Sequence, residues 1–262
     1  MQIVKLQNLA LHVRIEGPET GFPVVFSNSL GTDLKLWDKV VALLPGGLRV
    51  IRFDTRGHGL SDCLPSPYSM DELANDAVDL LDQLGISGCA FVGLSIGGMI
   101  GQVVAVRRPD LISALVLSNT AAKLGDQQMW NDRIAAIQEG GVESLAGPIL
   151  ERWFSEEFRR DDELNAWRNM LIRTPKEGYI GCCHAIAAAD LSAQTRAIRQ
   201  PTLGIAGSVD GASPANLVEG TVAMIEGASF RTIEGAGHLP CVEKPAEYAA
   251  ILTNFLKENG HV

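Results

Sequence analysis

No stretch of this 262-residue chain runs to about 18 consecutive apolar residues, so a membrane-spanning helix is not expected. The first residues hold no basic segment followed by an apolar block. Gln2-Ile3-Val4-Lys5-Leu6 alternates like a strand instead, which argues against a signal peptide. Basic residues are scarce beside acidic ones, 22 Lys and Arg against 31 Asp and Glu, for a formal net charge of −9. A phosphate backbone would be repelled, and no dense Lys/Arg cluster reverses that locally, so nucleic acid is not an expected partner. Cysteines number five (Cys63, Cys89, Cys182, Cys183 and Cys241), with irregular spacing and no CxxC pair. They read as free thiols in a reducing compartment rather than as a disulfide framework or a zinc site. Internal repeats and long Pro/Gly/Ser linkers are also missing. What remains is an ordinary globular composition, 46% hydrophobic and 20% charged, which predicts a soluble cytoplasmic protein. The length suits one large domain, or one domain carrying an insertion.

The first third alternates strands and helices. Residues 2–6 and 10–15 read as a hairpin of two period-2 strands around Gln7-Asn8. Val24-Val25-Phe26 is a short apolar strand that ends at the loop Asn28-Ser29-Leu30-Gly31-Thr32. A helix is expected from Trp37 to Leu44, stopped by Pro45-Gly46-Gly47. Arg49–Phe53 is the next strand and ends in Asp54-Thr55-Arg56-Gly57-His58-Gly59. Ser69 and Glu72 form a capping box that opens a helix with apolar positions Leu73, Ala77, Leu80, Leu81 and Leu84, closed by Gly85. Cys89–Val92 and Ala114–Leu117 are buried strands flanking a helix that ends near Arg107. Short apolar strands alternating with helices predict an α/β fold, with a mostly parallel twisted sheet covered by helices on both faces.

The pattern changes over residues 122–195. No convincing strand occurs there, but helical stripes do, such as Trp130, Ile134 and Ile137, and later Leu164, Trp167 and Leu171. Strand character returns at Pro201–Ala206 and Ser229–Ile233, and a last helix spans about Pro245 to Lys257. The expected organisation is a core of residues 1–121 and 196–262, with residues 122–195 as an inserted helical lid packed onto it.

The chemistry centres on Gly93-Leu94-Ser95-Ile96-Gly97, a G-x-S-x-G pattern with an apolar strand before it and a helix after it. A strand-to-helix turn this tight strains the serine backbone, and flanking glycines avoid the resulting clashes. The hydroxyl of Ser95 then projects at the carboxyl end of the sheet as a candidate nucleophile. The Ile96 N–H sits at the helix start, where unpaired donors favour developing negative charge. A second such donor is expected from the loop after Val24–Phe26, and the Leu30 N–H is the candidate. A serine hydroxyl needs a base. Among His12, His58, His184, His238 and His261, the position in Gly235-Ala236-Gly237-His238, after a strand and before the last helix, selects His238. His58 and His184 read as structural. The orienting carboxylate should fall between serine and histidine in chain order. Asp210 does, after the strand ending at Ala206, whereas the alternatives Asp190 and Glu226 follow no strand end. No metal-ligand pattern occurs.

These residues carry a resemblance. Over its whole length the chain resembles the α/β-hydrolases, with Ser95, Asp210 and His238 on that family's catalytic positions. It is similar in particular to the 3-oxoadipate enol-lactone hydrolases of bacterial aromatic degradation. The resemblance rests on Asn28–Thr32, Asp54–Gly59, Gly93–Gly101 and Asn119-Thr120-Ala121-Ala122-Lys123. Within the insertion it rests on Trp130 with Arg133-Ile134, Glu151-Arg152-Trp153-Phe154, and Gly178-Tyr179 with Cys182-Cys183. One departure is Pro240-Cys241 after the base, which looks more like generic esterases. The resemblance implies a cofactor-free serine hydrolase that opens a small carboxylated lactone, with no membrane partner. The insertion itself is acidic, 8 Lys and Arg against 12 Asp and Glu, so a local cation must hold the substrate carboxylate. Arg133 is the first candidate and Arg152 the second, with Trp130 and Trp153 as pocket wall or helical core. Alternative readings are another carboxylesterase or perhydrolase-like esterase, a C–C bond hydrolase of ring-cleavage products, or a non-catalytic small-molecule receptor on the same fold.

Overall fold

The computed structural model describes residues 2–262. Eight strands form one sheet: β1 (Gln2–Lys5), β2 (Ala10–Glu16), β3 (Phe22–Ser27), β4 (Leu48–Phe53), β5 (Cys89–Leu94), β6 (Ile112–Ser118), β7 (Thr202–Gly207) and β8 (Ser229–Ile233). Their spatial order is β1-β2-β4-β3-β5-β6-β7-β8. The hairpin β1–β2 and the β2–β4 pair are antiparallel, and every pair from β4 through β3 to β8 is parallel. In β5 and β7 every residue is buried, whichever way its side chain points. Alternate residues face opposite sides, so both faces of the sheet's centre are covered.

Eleven helices complete the chain among the described residues: α1 (Asp38–Val41), α2 (Met70–Gln83), α3 (Ile96–Arg107), α4 (Gln127–Gly140), α5 (Ala146–Trp153), α6 (Leu164–Ile172), α7 (Lys176–Ala188), α8 (Ser192–Ala197), α9 (Ala215–Val222), α10 (Pro240–Glu243) and α11 (Pro245–Glu258). The predicted capping box is formed: Ser69 Oγ accepts the Glu72 N–H while the Glu72 carboxylate accepts the Ser69 N–H. Gly85, just after that helix, takes a positive φ of 65°, which a β-carbon would penalise. The helix expected over Trp37–Leu44 is shorter and starts differently. Asp33 caps a 3₁₀ turn, Leu34–Trp37, which passes into the single turn α1. Pro45 disfavours helix at the residue before it.

Between β6 and β7 come α4 to α8 and no strand. α4 packs on α7, α5 on α6, and α7 rests against α2 of the sheet layer. The apolar stripe Trp130, Ile134 and Ile137 is buried on α4, as are Trp167 and Leu171 on α6. α8 runs to Ala197, beyond residue 195. Cys63 is exposed, Cys89, Cys182, Cys183 and Cys241 are buried, and all five are free. No described helix is long and apolar enough to cross a membrane.

Candidate active site

β5 turns into α3 through one residue, Ser95, whose φ of 57° and ψ of −117° are strained for a side chain with a β-carbon. The turn is tight enough to exclude β-carbons beside it. One on Gly93 would lie 2.3 Å from the Gly97 carbonyl oxygen, and one on Gly97 would lie 2.3 Å from the Ser27 oxygen. The start of α3 is thus pressed against the end of β3, where the loop holding Leu30 begins. Ile96 is the first residue of α3, whose opening N–H groups have no intrahelical acceptor. The Leu30 N–H has no acceptor among the described residues either.

That loop is held from several sides. Asn28 donates to the Phe53 carbonyl at 2.8 Å and accepts the Trp37 indole N–H at 2.9 Å. Thr32 Oγ1 donates to the Ser29 carbonyl, and the Leu34 N–H donates to buried Asp54. Next to Leu30, the Gly31 N–H donates to His58 Nε2 at 3.0 Å, while His58 Nδ1 lies 3.2 Å from the Arg56 carbonyl. A ring that accepts at one nitrogen and donates at the other is the neutral Nδ1–H tautomer. Burial, the dominant influence, lowers the His58 pKa from its ordinary 6.5. The unfolded chain therefore takes up a proton below about pH 6.5 that the folded chain refuses, and stability falls as pH drops through that range. Urea unfolding checks this: the midpoint of the wild type should fall more than that of H58Q between about pH 7.5 and about pH 5.5.

The candidate carboxylate and base meet as the sequence predicts. His238 Nδ1 donates to Asp210 Oδ2 at 2.9 Å, and both residues are buried. Four further donors converge on Asp210: Asn119 Nδ2 and Ser213 Oγ on Oδ2, and the Ala212 and Ser213 N–H groups on Oδ1. Burial pushes this carboxyl up, but His238 and these hydrogen bonds outweigh it and hold the pKa below the usual carboxylate value. On the other side of the ring, His238 Nε2 lies 3.4 Å from Ser29 Oγ. The Ser95 hydroxyl makes no hydrogen bond among the described residues, so the expected link from hydroxyl to imidazole is not formed in this structure.

Ser95 and His238 line a small cavity of about 90 Å³. Leu30, Trp130, Arg133, Arg152 and Trp153 line the same cavity, so these sequence candidates are brought together. Asp210 sits behind the base, and Ile96 lies at the foot of the turn. The Trp130 indole N–H is already donated to the Leu124 carbonyl at 2.7 Å, which leaves its ring as wall. The Arg133 guanidinium carbon stands 4.8 Å from the centre of that ring. Arg133 and Arg152 have no acidic partner among the described residues. The other histidines lie elsewhere: His12 pairs with Asp54 at 2.8 Å, His261 stacks on Phe22, and His184 lies on α7 outside the cavity. Asp190 is exposed beside Ser192 and Lys123, and Glu226 is exposed.

The family model of the alpha/beta hydrolase fold matches residues 23–245. The chain belongs to the α/β-hydrolase family. Among its curated relatives is 3-oxoadipate enol-lactonase 1 of Acinetobacter baylyi, 35% identical over 98% of this chain and 97% of that protein. Enol-lactonase 2 of the same organism is also 35% identical, over 92% and 91%. The solved enol-lactonase from Burkholderia xenovorans LB400 superposes with a TM-score of 0.94 at 35% identity, covering 98% of this chain and all of that one. This α/β hydrolase is thus a carboxylic-ester hydrolase of the enol-lactonase type.

Several residues of this hydrolase's site escaped the sequence reading as functional candidates. Ser29 and Tyr179 line the cavity, and Asn119 and Ser213 bind Asp210. Ser213 had a signal, since an aspartate three residues before a serine makes a local side-chain turn. Asn119 had a fainter one: it follows β6 and adopts a positive φ of 46°, which asparagine tolerates.

Proposed function

We propose that the chain hydrolyses 3-oxoadipate enol-lactone to 3-oxoadipate in the degradation of aromatic compounds. The reading rests on one observation above all. The strained Ser95 and the Asp210-bound imidazole of His238 share a small cavity with Arg133, a cation that has no acidic partner among the described residues. In this reading Ser95 Oγ attacks the lactone carbonyl carbon as its proton passes to His238 Nε2. The carbonyl oxygen becomes an oxyanion that accepts the Leu30 and Ile96 N–H groups. Two such donors together contribute several kcal/mol, taking about 3–4 for one. The ring C–O bond then breaks, and the enol oxygen leaves with the proton from His238. It stays tethered within the acyl-enzyme, and the enol tautomerises to the ketone. Water attacks the ester, gives its proton to His238, and frees Ser95 as the second carboxylate forms. No step calls for a cofactor.

Arg133 holds the carboxylate that the lactone already carries, with Arg152 at the cavity edge and Trp130 and Trp153 as walls. A charge-assisted contact of this kind contributes about 1.5–3 kcal/mol, so Arg133→Ala should raise KM about 10- to 100-fold with little change in kcat. A neutral lactone should be hydrolysed equally well by both proteins. Side-by-side assays of the enol-lactone, aryl esters and ring-cleavage diketones test the substrate reading. The enol-lactone should have the highest kcat/KM. Preference for an aryl ester or a diketone would replace this reading with a general esterase or a C–C bond hydrolase.

A further inference from the structure

The C-terminal end of α5 touches both loops that carry the carboxylate and the base. The Gly211 N–H, next to Asp210, donates to the Arg152 carbonyl at 3.2 Å. The N–H of His238 itself donates to the Trp153 carbonyl at 2.8 Å. The last carbonyls of a helix lack internal partners, and here the triad loops fill that role. A half-buried side chain then closes the junction. Glu243 Oε1 accepts the Gly237 N–H at 2.7 Å, while Oε2 accepts the Ser155 N–H at 3.1 Å and the Ser155 hydroxyl. The approach is so close that a β-carbon on Gly237 would lie 2.5 Å from the Trp153 oxygen. The side chains of Arg152 and Trp153 meanwhile line the cavity. One short segment therefore carries pocket wall on its side chains and the base loop on its backbone.

We propose that Glu243 is a positioning residue for His238: by bridging Gly237 to Ser155 it locks the base loop to the end of α5, so that the base and the cavity wall keep one geometry. This rests on the reading of His238 as the base. The role requires a carboxylate. Three donors point at its two oxygens, and a glutamine would turn an NH₂ group toward one of them. Its side chain lines no part of the cavity, so any effect on catalysis passes through His238.

E243Q, S155A, the double variant and H238A are compared with the wild type, using p-nitrophenyl acetate as substrate and circular dichroism and Tm as checks on folding. The expected result is a folded E243Q whose kcat is lower by about 10-fold or more while KM changes less than about threefold. S155A, which keeps its N–H bond, should lose about two- to fivefold in kcat, and the double variant should lose no more than E243Q alone, because the two form one unit. If E243Q does not fold, S155A decides: a kcat loss at constant KM supports the proposal, and an unchanged kcat overturns it. Wild-type kcat in folded E243Q, a loss confined to KM, or single effects that simply add would each overturn it too. H238A separates the two levels. An active H238A removes the reading of the base, whereas an inactive H238A beside a fully active E243Q removes only the positioning role.

Discussion

Ser95→Ala is expected to lower kcat by about 10⁵-fold or more, and to leave the fold intact. The first part follows from chemistry. Without the hydroxyl there is no acyl-enzyme, and what remains is the modest acceleration that the backbone donors and binding give to attack by water. The second part follows from the geometry of the turn. The Ser95 hydroxyl makes no hydrogen bond among the described residues, so truncation leaves no buried partner unsatisfied. The backbone strain at φ 57° is the same for alanine as for serine. Tm should therefore move by no more than about a degree or two, the range of changes that break no named interaction. A steady-state assay beside a thermal melt checks both parts.

Asp210→Asn should reduce kcat by about 10⁴-fold and, unlike the serine change, should also destabilise the protein. Five donors face the Asp210 carboxylate: Asn119 Nδ2, Ser213 Oγ, two backbone N–H groups and His238 Nδ1. An asparagine brings two donors of its own into this acceptor-only position. Wherever its NH₂ points, it meets another N–H or O–H, and the simplest relief is for His238 to shift its proton to Nε2. That tautomer cannot take a proton from Ser95. Leaving buried donors unpaired costs about 1–3 kcal/mol each, so Tm should drop by several degrees. Near-wild-type activity in a folded Asp210→Asn protein would remove Asp210 from the mechanism.

The contrast between these two positions also explains what was legible in the sequence. The turn at Ser95 is a local device: glycines two residues away on each side, an apolar strand before and a helix after are all present within about twenty residues. The capping box at Ser69 and the positive-φ glycine at Gly85 are equally local, and they too are found where the pattern puts them. Asp210 and His238 were reachable because each follows a strand end in a fixed chain order. Contacts made across the fold were not reachable. Asn119 meets Asp210 across 91 positions and Ser155 meets Glu243 across 88, and no periodicity encodes such a pairing. Ser29 was read only as a loop residue, because what brings it to His238 is the bracing of that loop by Asn28, Trp37 and His58. Short elements were missed for a related reason. α9 and α10 span eight and four residues, too few for a helical stripe to stand out.

The proposed function also requires an acidic chain to take an anionic substrate. Long-range attraction is not available at a net charge of −9, so recognition depends on a cation that is not already neutralised. Several arginines here are already paired with acidic residues, for example Arg56 with Asp76 and Arg108 with Asp82 and Asp110. Arg133 is left to the cavity, seated on an aromatic face that orients its plane.

The central claim is that Ser95 is a nucleophile served by His238. The most direct measurement is titration with a fluorophosphonate, followed by peptide mapping. One phosphonyl group should add per chain on the peptide that contains Ser95, activity should vanish in step with it, and His238→Ala should suppress the labelling. Full activity in a fully labelled protein, or a label that maps to any other residue, would contradict the claim.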